Sequence, residues 1–227
     1  MNLHSARQSK IDLNKRWPCT PCKASEEDRF CEAAASLNSQ SITERGINIS
    51  ELPLNHLSNL CEKLDQAPTQ YQLFVNINQQ RLHLVKSREW IKSYVVSTAF
   101  NGVGQEDGSG KTPLGLHVIA SKVGEGAAPY AVFKARELTG EIAQPNSSER
   151  SITSRILWLR GLEPQFNQGS RNGIIVDTYK RYVYIHGTND LEHLGQPVSK
   201  GCVCLSPEDT IDLFNQVSEG TQVYIYT

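Results

Sequence analysis

The sequence predicts a mainly β protein, because apolar and polar residues alternate over several short segments after residue 69. Residues 71–77 place apolar side chains at every second position, and residues 82–85 return the chain as a second strand after a polar turn. Residues 90–97 supply a third run of strand-forming side chains. Consecutive short strands joined by polar turns favour an antiparallel sheet, built as a β sandwich or a barrel.

The second half of the chain adds further predicted strands and one helix. Buried strands are predicted at 155–159 and 174–176, a strand at 182–185 that leads to His186, and a closing strand at 221–226. Ser206 is predicted to cap a helix with Pro207 in its first turn, and Gly220 is predicted to end that helix. The stretches between these elements, 101–110 and 124–150, are predicted to be irregular loops.

Residues 1–68 are predicted to form a small α-helical N-terminal extension of unknown function, and residues 69–227 a separate β domain. Ser25 is a candidate N-cap for a first helix, and a second helix is expected after Ser50. The second helix places four apolar residues on one face: Leu54, Leu57, Cys61 and Leu64. We expect both apolar faces to pack on the β domain or on each other; binding of a partner is the alternative.

Composition excludes several classes of protein. The 227 residues are 38% hydrophobic and 21% charged, which is ordinary for a soluble protein. A formal net charge of −1 gives no reason to expect a nucleic-acid partner. No run approaches the roughly eighteen apolar residues of a membrane span. We expect a monomer without a cofactor or a bound metal.

A cysteine behind a glycine, and a histidine after a strand-forming run, are the candidate chemical groups. Catalysis by a thiol needs a thiolate, a base and backbone N–H groups directed at the developing oxyanion. Gly201 allows a sharp turn before Cys202, and a strand would hold His186 rigidly. Taken alone, such a pair is more often a buried thiol and a hydrogen-bonded structural histidine.

Several separated motifs resemble the L,D-transpeptidase catalytic-domain family over about residues 71–227. They occur in the expected order: Thr112-Pro113-Leu114-Gly115, the segment 153–169, His186-Gly187-Thr188, and Ser199-Lys200-Gly201-Cys202-Val203. Two positions depart from the family pattern. Lys200 stands where the family usually has His, and Cys204 stands where it usually has Arg or Asn, which places substrate docking and thiolate stabilisation in question.

The resemblance implies the chemistry of a cysteine-dependent transferase of peptidoglycan biosynthesis, acting in cell-wall biogenesis and cell shape in bacteria. Cys202 would be the nucleophile, and His186 the proton donor and acceptor. The substrate-binding or oxyanion-hole residues would be Gly187, Ser199, Lys200, Gly201 and Val203. A peptidoglycan stem tetrapeptide would acylate Cys202 with loss of D-alanine. A neighbouring stem would then accept the acyl group in a 3→3 cross-link.

Three alternatives remain open at this point. Water as the acceptor would make the protein an L,D-carboxypeptidase, and an inactive domain would only bind peptidoglycan. Cys202, Cys204, His186 and His193 have side chains that can ligate zinc. Cys202 and Cys204 can also form a strained disulfide on oxidation; against this, alternation along an extended segment is expected to turn Cys204 toward the core and Cys202 toward the cleft.

Compartment and the remaining cysteines are not decided by the sequence. Residues 1–8 lack the apolar run of a secretory signal peptide, although the expected substrate lies outside the cytoplasmic membrane. The substrate class therefore predicts the cell envelope or periplasm, with the cytoplasm as the alternative. The other four thiols, at Cys19, Cys22, Cys31 and Cys61, are most simply structural; disulfides are the alternative in an exported protein.

Overall fold

A computed structural model of the protein describes residues 48–227. A 3-10 helix spans Ile49–Glu51, helix α1 spans Leu54–Lys63 and helix α2 spans Pro207–Gln216. The strands are β1 Tyr71–Asn76, β2 Arg81–Lys86, β3 Glu89–Val95, β4 Gly115–Val123, β5 Ala131–Lys134, β6 Glu137–Ile142, β7 Ile152–Gly161, β8 Ser170–Arg171, β9 Ile174–Ile175, β10 Tyr184–Thr188, β11 Val203–Leu205 and β12 Gln222–Tyr226.

Most strands belong to one curled sheet with the order β11-β10-β7-β4-β12-β1-β2-β3. The pairing is antiparallel except at β1–β12 and β10–β11, which are parallel. The chain that follows β3 returns to the opposite edge through two isolated bridges, Ser97–Cys204 and Ala99–Ser199. The sheet therefore curls around its core without closing as a continuous barrel, and the predicted mainly β fold is confirmed.

The inner face of the curl encloses the main hydrophobic core. Leu73, Leu84, Leu159, Ile185 and Val223 come from five different strands and are fully buried there. Helix α2 adds Leu213 and Phe214 to this core. Ser206 caps α2 as predicted, since its hydroxyl accepts from the Asp209 N–H at 3.0 Å.

Two elements cover separate parts of the outer face. Helix α1 packs Leu57 and Cys61 against Phe74, Val85 and Leu116, a set that we call the α1 cluster. The β5–β6 hairpin instead packs Phe133 against Ile156 and Tyr184, with Cys202 beside them; we call this set the hairpin cluster. The helix predicted after Ser50 is thus present, and it packs on the sheet.

Several sequence predictions need correction or fall elsewhere. The stretch 124–150 is not wholly irregular, because it forms the β5–β6 hairpin. Ile174 and Ile175 form a short exposed strand, and only Val176 of that run is buried. Helix α2 ends before Gly220, which lies in the turn that precedes β12. The helix predicted at Ser25 and three of the cysteines lie outside the described residues.

Candidate active site

His186 lies in β10 and is nearly fully buried, with 6% of its surface exposed. Its Nδ1 lies 2.8 Å from the carbonyl oxygen of Gly187. A carbonyl can only accept a hydrogen bond, so Nδ1 carries the proton and Nε2 keeps its lone pair. Burial lowers the pKa of His186, against the opposing effect of the Gly187 carbonyl, and the imidazole is therefore a neutral base. The orienting carbonyl that sequence alone does not identify belongs to the adjacent residue.

Gly187 permits a close contact between β10 and β7. A Cβ atom at this position would lie 2.7 Å from the carbonyl oxygen of Thr153. The register of the two strands also shifts between His186 and Gly187. The glycine therefore supports the backbone kink that presents its own carbonyl to the imidazole.

Cys202 lies directly before β11 and is partly exposed. The parallel register sets Ile185 beside Val203, so Cys202 is level with Tyr184, two residues before His186. Its Sγ accepts from the Tyr184 N–H at 3.4 Å and lies 3.8 Å from the Tyr182 carbonyl. Within residues 48–227 no hydrogen bond joins Cys202 to His186, although alternation along β10 places Tyr184 and His186 on one face.

The Cys202 thiol is protonated in this resting arrangement. Burial raises its pKa to about 11, while the Tyr184 N–H and the charge of Arg181 lower it. At pH 7 roughly one thiol in ten thousand would then be ionised. Chemistry at this sulfur consequently requires a base.

Cys204 occupies the position that sequence analysis directed into the core. It is 9% exposed, but its Sγ lies 3.6 Å from Nε2 of His186 and is not part of the main core. Cys204 is thus buried and Cys202 lines the cleft, as expected, but alternation is not the cause, because residues two apart in a strand share a face and both cysteines flank the inward Val203. Burial, and then the neighbouring Cys202, raise the pKa of Cys204. Both thiols are free.

The loop before Cys202 is held by the side chain of Ser199. Its hydroxyl donates to the Cys202 carbonyl at 2.6 Å and accepts from the Gly201 N–H at 3.2 Å. Gly201 has a φ of +128°, and a Cβ there would lie 3.2 Å from the Lys111 carbonyl oxygen. The Gly201 N–H donates to Ser199, whereas the Cys202 N–H has no protein acceptor in the described part of the chain.

A cleft of about 300 Å³ opens beside the Cys202 thiol. Its charged lining residues are Asp107, Arg181 and Lys200, and Tyr182 and Gly201 complete the walls near the sulfur. A larger cavity of about 660 Å³ lies beneath the β5–β6 hairpin, but its lining contains neither cysteine nor histidine. The smaller cleft is therefore the candidate substrate site.

An aromatic cluster links the site to the β5–β6 hairpin. Trp158 stacks on Tyr179 with ring centroids 4.0 Å apart, and Tyr184 meets Trp158 edge-on at 5.7 Å. Arg136, at the tip of the hairpin, lies 4.5 Å from the Trp158 ring centroid and donates to the Tyr184 hydroxyl at 3.1 Å. The hairpin is thus attached to the strand that carries both Tyr184 and His186.

The residues proposed as zinc ligands do not assemble in the structure. His193 bonds through Nδ1 to an Asp190 oxygen at 2.6 Å, and Arg150 contacts the other oxygen of that carboxylate at 2.7 Å. Within residues 48–227 no group of three or more Cys, His, Asp or Glu side chains is arranged to hold a metal ion. The zinc alternative thus has no support from the geometry.

The sequence of residues 70–225 matches the family model described as the YkuD L,D-transpeptidase catalytic domain. That match spans more than half of the chain. The protein belongs to this family. The resemblance first seen in the motifs is therefore confirmed. Members of this family act on peptidoglycan and are typically found at the cell envelope. No helix in residues 48–227 is long and apolar enough to span a bilayer.

Individual relatives align over only part of their lengths. The putative L,D-transpeptidase YkuD of Bacillus subtilis is 44% identical over 46 residues, which are 20% of this chain and 28% of that protein. An L,D-transpeptidase structure from Mycobacterium smegmatis is 18% identical with a TM-score of 0.42, covering 70% of this chain and 59% of that one. L,D-transpeptidase 3 from Mycobacterium tuberculosis, solved with a faropenem-derived adduct, is 16% identical with a TM-score of 0.43, covering 70% and 60%.

Sequence analysis missed two features of this site. Arg181 lies one residue before the predicted strand 182–185 and has no predicted role, yet it lines the Cys202 cleft. Arg136 was placed in an irregular stretch, although it contacts the aromatic cluster. The apolar run 131–133 before Arg136 is a short strand signal, but nothing local distinguishes Arg181.

Proposed function

We propose that the protein is a cysteine-dependent L,D-transpeptidase that acts on peptidoglycan stem peptides through a thioester at Cys202. It releases D-alanine and forms 3→3 cross-links, with residues 69–227 as its catalytic domain and the cell envelope as its place of action. The observation that carries this proposal is the buried, neutral His186. The Gly187 carbonyl holds the proton on Nδ1 and so keeps Nε2 unprotonated, on the same sheet face as the Cys202 thiol.

The acylation step begins with proton transfer from the Cys202 thiol to Nε2 of His186. The sulfur attacks the carbonyl that precedes the terminal D-alanine, a C–S bond forms, and the carbonyl electron pair moves to oxygen. The unpaired Cys202 N–H is the candidate donor to that oxyanion. When the intermediate collapses, the C–N bond breaks, His186 returns its proton to the departing amine, and D-alanine leaves.

The second step resolves the thioester with an amine. The side-chain amine of a neighbouring stem attacks the carbonyl, a C–N bond forms and the C–S bond breaks. The amine proton passes through His186 to the Cys202 sulfur, which restores the resting thiol. Water in place of the amine would give a carboxylic acid, and the protein would then be an L,D-carboxypeptidase on the same donor.

The proposal requires the Cys202 side chain to turn away from its resting partners. The Tyr182 carbonyl holds the sulfur through a long contact of 3.8 Å, which costs little to break. Catalytic hydrogen bonds commonly tighten only when substrate is bound. Cys204 competes for Nε2, but it is more deeply buried than Cys202 and does not line the cleft.

Acylation by a carbapenem tests the nucleophile directly. We expect the intact mass of the wild type to increase by one adduct, the Cys202→Ala variant to show none, and the Cys204→Ala variant to keep it. An adduct that disappears in Cys204→Ala and survives in Cys202→Ala would transfer the nucleophile to Cys204. Folded, reduced wild type without any adduct would favour the inactive peptidoglycan-binding alternative.

Product analysis separates transfer from hydrolysis. Incubation with a stem tetrapeptide should release D-alanine and yield a cross-linked dimer of donor and acceptor, both visible by mass spectrometry. A tripeptide acid as the main product at millimolar acceptor would instead identify a carboxypeptidase.

A further inference from the structure

Arg181 is a partly buried cation in the wall of the Cys202 cleft. Its guanidinium holds the 104–111 loop: Nη1 donates to the Gly104 carbonyl at 3.2 Å and Nη2 to the Lys111 carbonyl at 2.7 Å. Nη2 also lies 3.5 Å from the Ser109 hydroxyl. These contacts fix the group in position but bring no negative charge to it.

Arg181 forms no salt bridge within the described part of the chain. The salt bridges there involve Lys92, Arg150 and His193. The Asp107 carboxylate shares the cleft and its charge acts to raise the pKa of Arg181, but it lies beyond salt-bridge distance. A cation taken partly out of water is stabilised by an anion close by. Three of the five guanidinium N–H donors have protein acceptors in the described residues, and the Nε–H and one Nη1–H are left, either of which can donate a charge-assisted hydrogen bond to an anion.

We propose that Arg181 binds the terminal carboxylate of the donor peptide, and so sets the preceding carbonyl against Cys202. This inference rests on the proposed function and names the substrate group that the cleft recognises. Lys200, exposed at the same cleft, adds a second positive charge at its rim. The cleft thus selects a peptide that ends in a free carboxylate next to the bond that is cleaved.

The charge of Arg181 also acts on the thiol itself. It lowers the pKa of Cys202 against the larger effect of burial. Burial in turn lowers the pKa of Arg181, which remains charged because an arginine titrates far above neutral pH. A single cation therefore attracts both the substrate carboxylate and the developing thiolate, and it should change selectivity among substrates as well as rate.

Two donor peptides that differ only in their C-terminal group measure the contribution of the terminal carboxylate. D-Alanine release from a stem tetrapeptide is compared with release of D-alanine amide from the same peptide amidated at its C-terminus. In the wild type we expect kcat/KM to favour the free acid by about 10- to 100-fold, the range of a hydrogen bond to a charged group. Arg181→Gln should reduce this preference to about twofold or less, and Arg160→Gln, an exposed arginine of β7, should keep it.

The outcomes separate the two proposals. Turnover of neither peptide by the wild type would refute the proposed function. If both proteins turn over both peptides, and the ratio of kcat/KM for the free acid to that for the amide is the same in wild type and Arg181→Gln, the role of Arg181 is overturned while the proposed function stands. If Lys200→Gln abolishes the preference and Arg181→Gln keeps it, Lys200 is the carboxylate ligand and the assignment to Arg181 is wrong.

A second measurement uses the wild-type protein alone and therefore needs no folded variant. Iodoacetate and iodoacetamide alkylate thiols similarly but differ in charge, and peptide mass spectrometry reports the reaction at Cys202 specifically. Relative to glutathione, the wild-type ratio of iodoacetate to iodoacetamide rates should be several-fold higher, and salt should lower it. A ratio at or below that of glutathione would contradict an anion site beside the thiol.

Discussion

The two covered parts of the outer sheet face differ in what covers them. In the α1 cluster a ten-residue amphipathic helix lays an apolar stripe on the sheet, and Leu57 and Phe74 are almost entirely excluded from solvent. In the hairpin cluster a short hairpin contributes Phe133, whereas every residue of its outer strand β6 is exposed. Full cover gives a stable core, and partial cover leaves a thiol within reach of solvent.

Each region also buries a histidine, with a different consequence. His83 pairs across the strands with Phe74 of the α1 cluster, and its Nδ1 contacts the Ser93 hydroxyl at 2.7 Å. His186 instead directs Nε2 toward a sulfur. Both are neutral because burial lowers their pKa, but His186, unlike His83, lies in the strand that pairs with the segment that follows Cys202. The same desolvation therefore serves packing in one region and base chemistry in the other.

The largest expected effect is on the acylation rate of Cys202 when the base His186 is removed. His186→Gln should slow carbapenem acylation of Cys202 by about 100- to 10,000-fold, the usual contribution of a positioned base. Cys204→Ala should acylate at a rate close to wild type, because Cys204 contacts Nε2 without lining the cleft. Stopped-flow measurement of acylation gives both rates, and an unchanged rate in His186→Gln would exclude the proposed dyad.

Removing packing from the α1 cluster should affect stability alone. Leu57 is 1% exposed, so Leu57→Ala should lower the free energy of unfolding by about 2–5 kcal/mol. Acylation measured well below the unfolding temperature should match wild type. Urea denaturation gives the loss of stability, and the exposed Leu138→Ala on β6 is the matched control, with an expected change within about 0.5 kcal/mol.

Acid should destabilise the fold through its buried histidines. Burial lowers the pKa of His83 and of His117 to about 4, whereas the unfolded chain has the ordinary value near 6.5. Between these values the unfolded state binds protons that the folded state does not, so stability falls as pH drops from about 6.5 to 4. The loss should reach roughly 3 kcal/mol for each histidine.

Urea denaturation at several pH values measures this loss. A His83→Gln variant should show a shallower decline of unfolding free energy over the same interval. Asp212, whose pKa is lowered by Lys92 and Tyr94, contributes its own acid sensitivity only below its ordinary value near 3.8. A decline that is equally steep in the variant would remove His83 from the explanation.

The predictable parts of the molecule are those with a local cause. The strands of residues 71–95 follow from alternation, and the α2 cap follows from Ser206 and Pro207. The motif around Cys202 identified the family without any knowledge of contacts, because the residues of one loop lie together in the sequence. The shared face of Cys202 and Cys204 is predictable too, because residues two apart in a strand point the same way.

Contacts between distant segments were beyond sequence reasoning. The partners of Arg181 lie in a loop about seventy positions earlier, and no spacing rule connects them. Strand β6 carries no alternation of burial, since its apolar Leu138 and Ile142 are both exposed. The carbonyl that orients His186 depends on a shift of register between β10 and β7, which arises only when the two strands pair.

The smallest expected effect is on amide hydrogen exchange in the β5–β6 hairpin and in helix α1, the two elements that cover the outer sheet face. Arg136 joins the β5–β6 hairpin to Trp158 and Tyr184, whereas Arg88 joins the β2–β3 turn to α1 through exposed contacts with Asn55 and Ser58. Arg136→Ala should speed amide hydrogen exchange several-fold in β6, because the hairpin has few other contacts to hold it.

Arg88→Ala is the matched control for that experiment. Helix α1 keeps its apolar stripe when Arg88 is removed, so its amides should exchange at nearly the wild-type rate. Unchanged exchange in β6 of Arg136→Ala would mean that the other contacts of the hairpin hold it as firmly as the apolar stripe holds the helix. The partial cover of the thiol would then be a fixed feature of the fold.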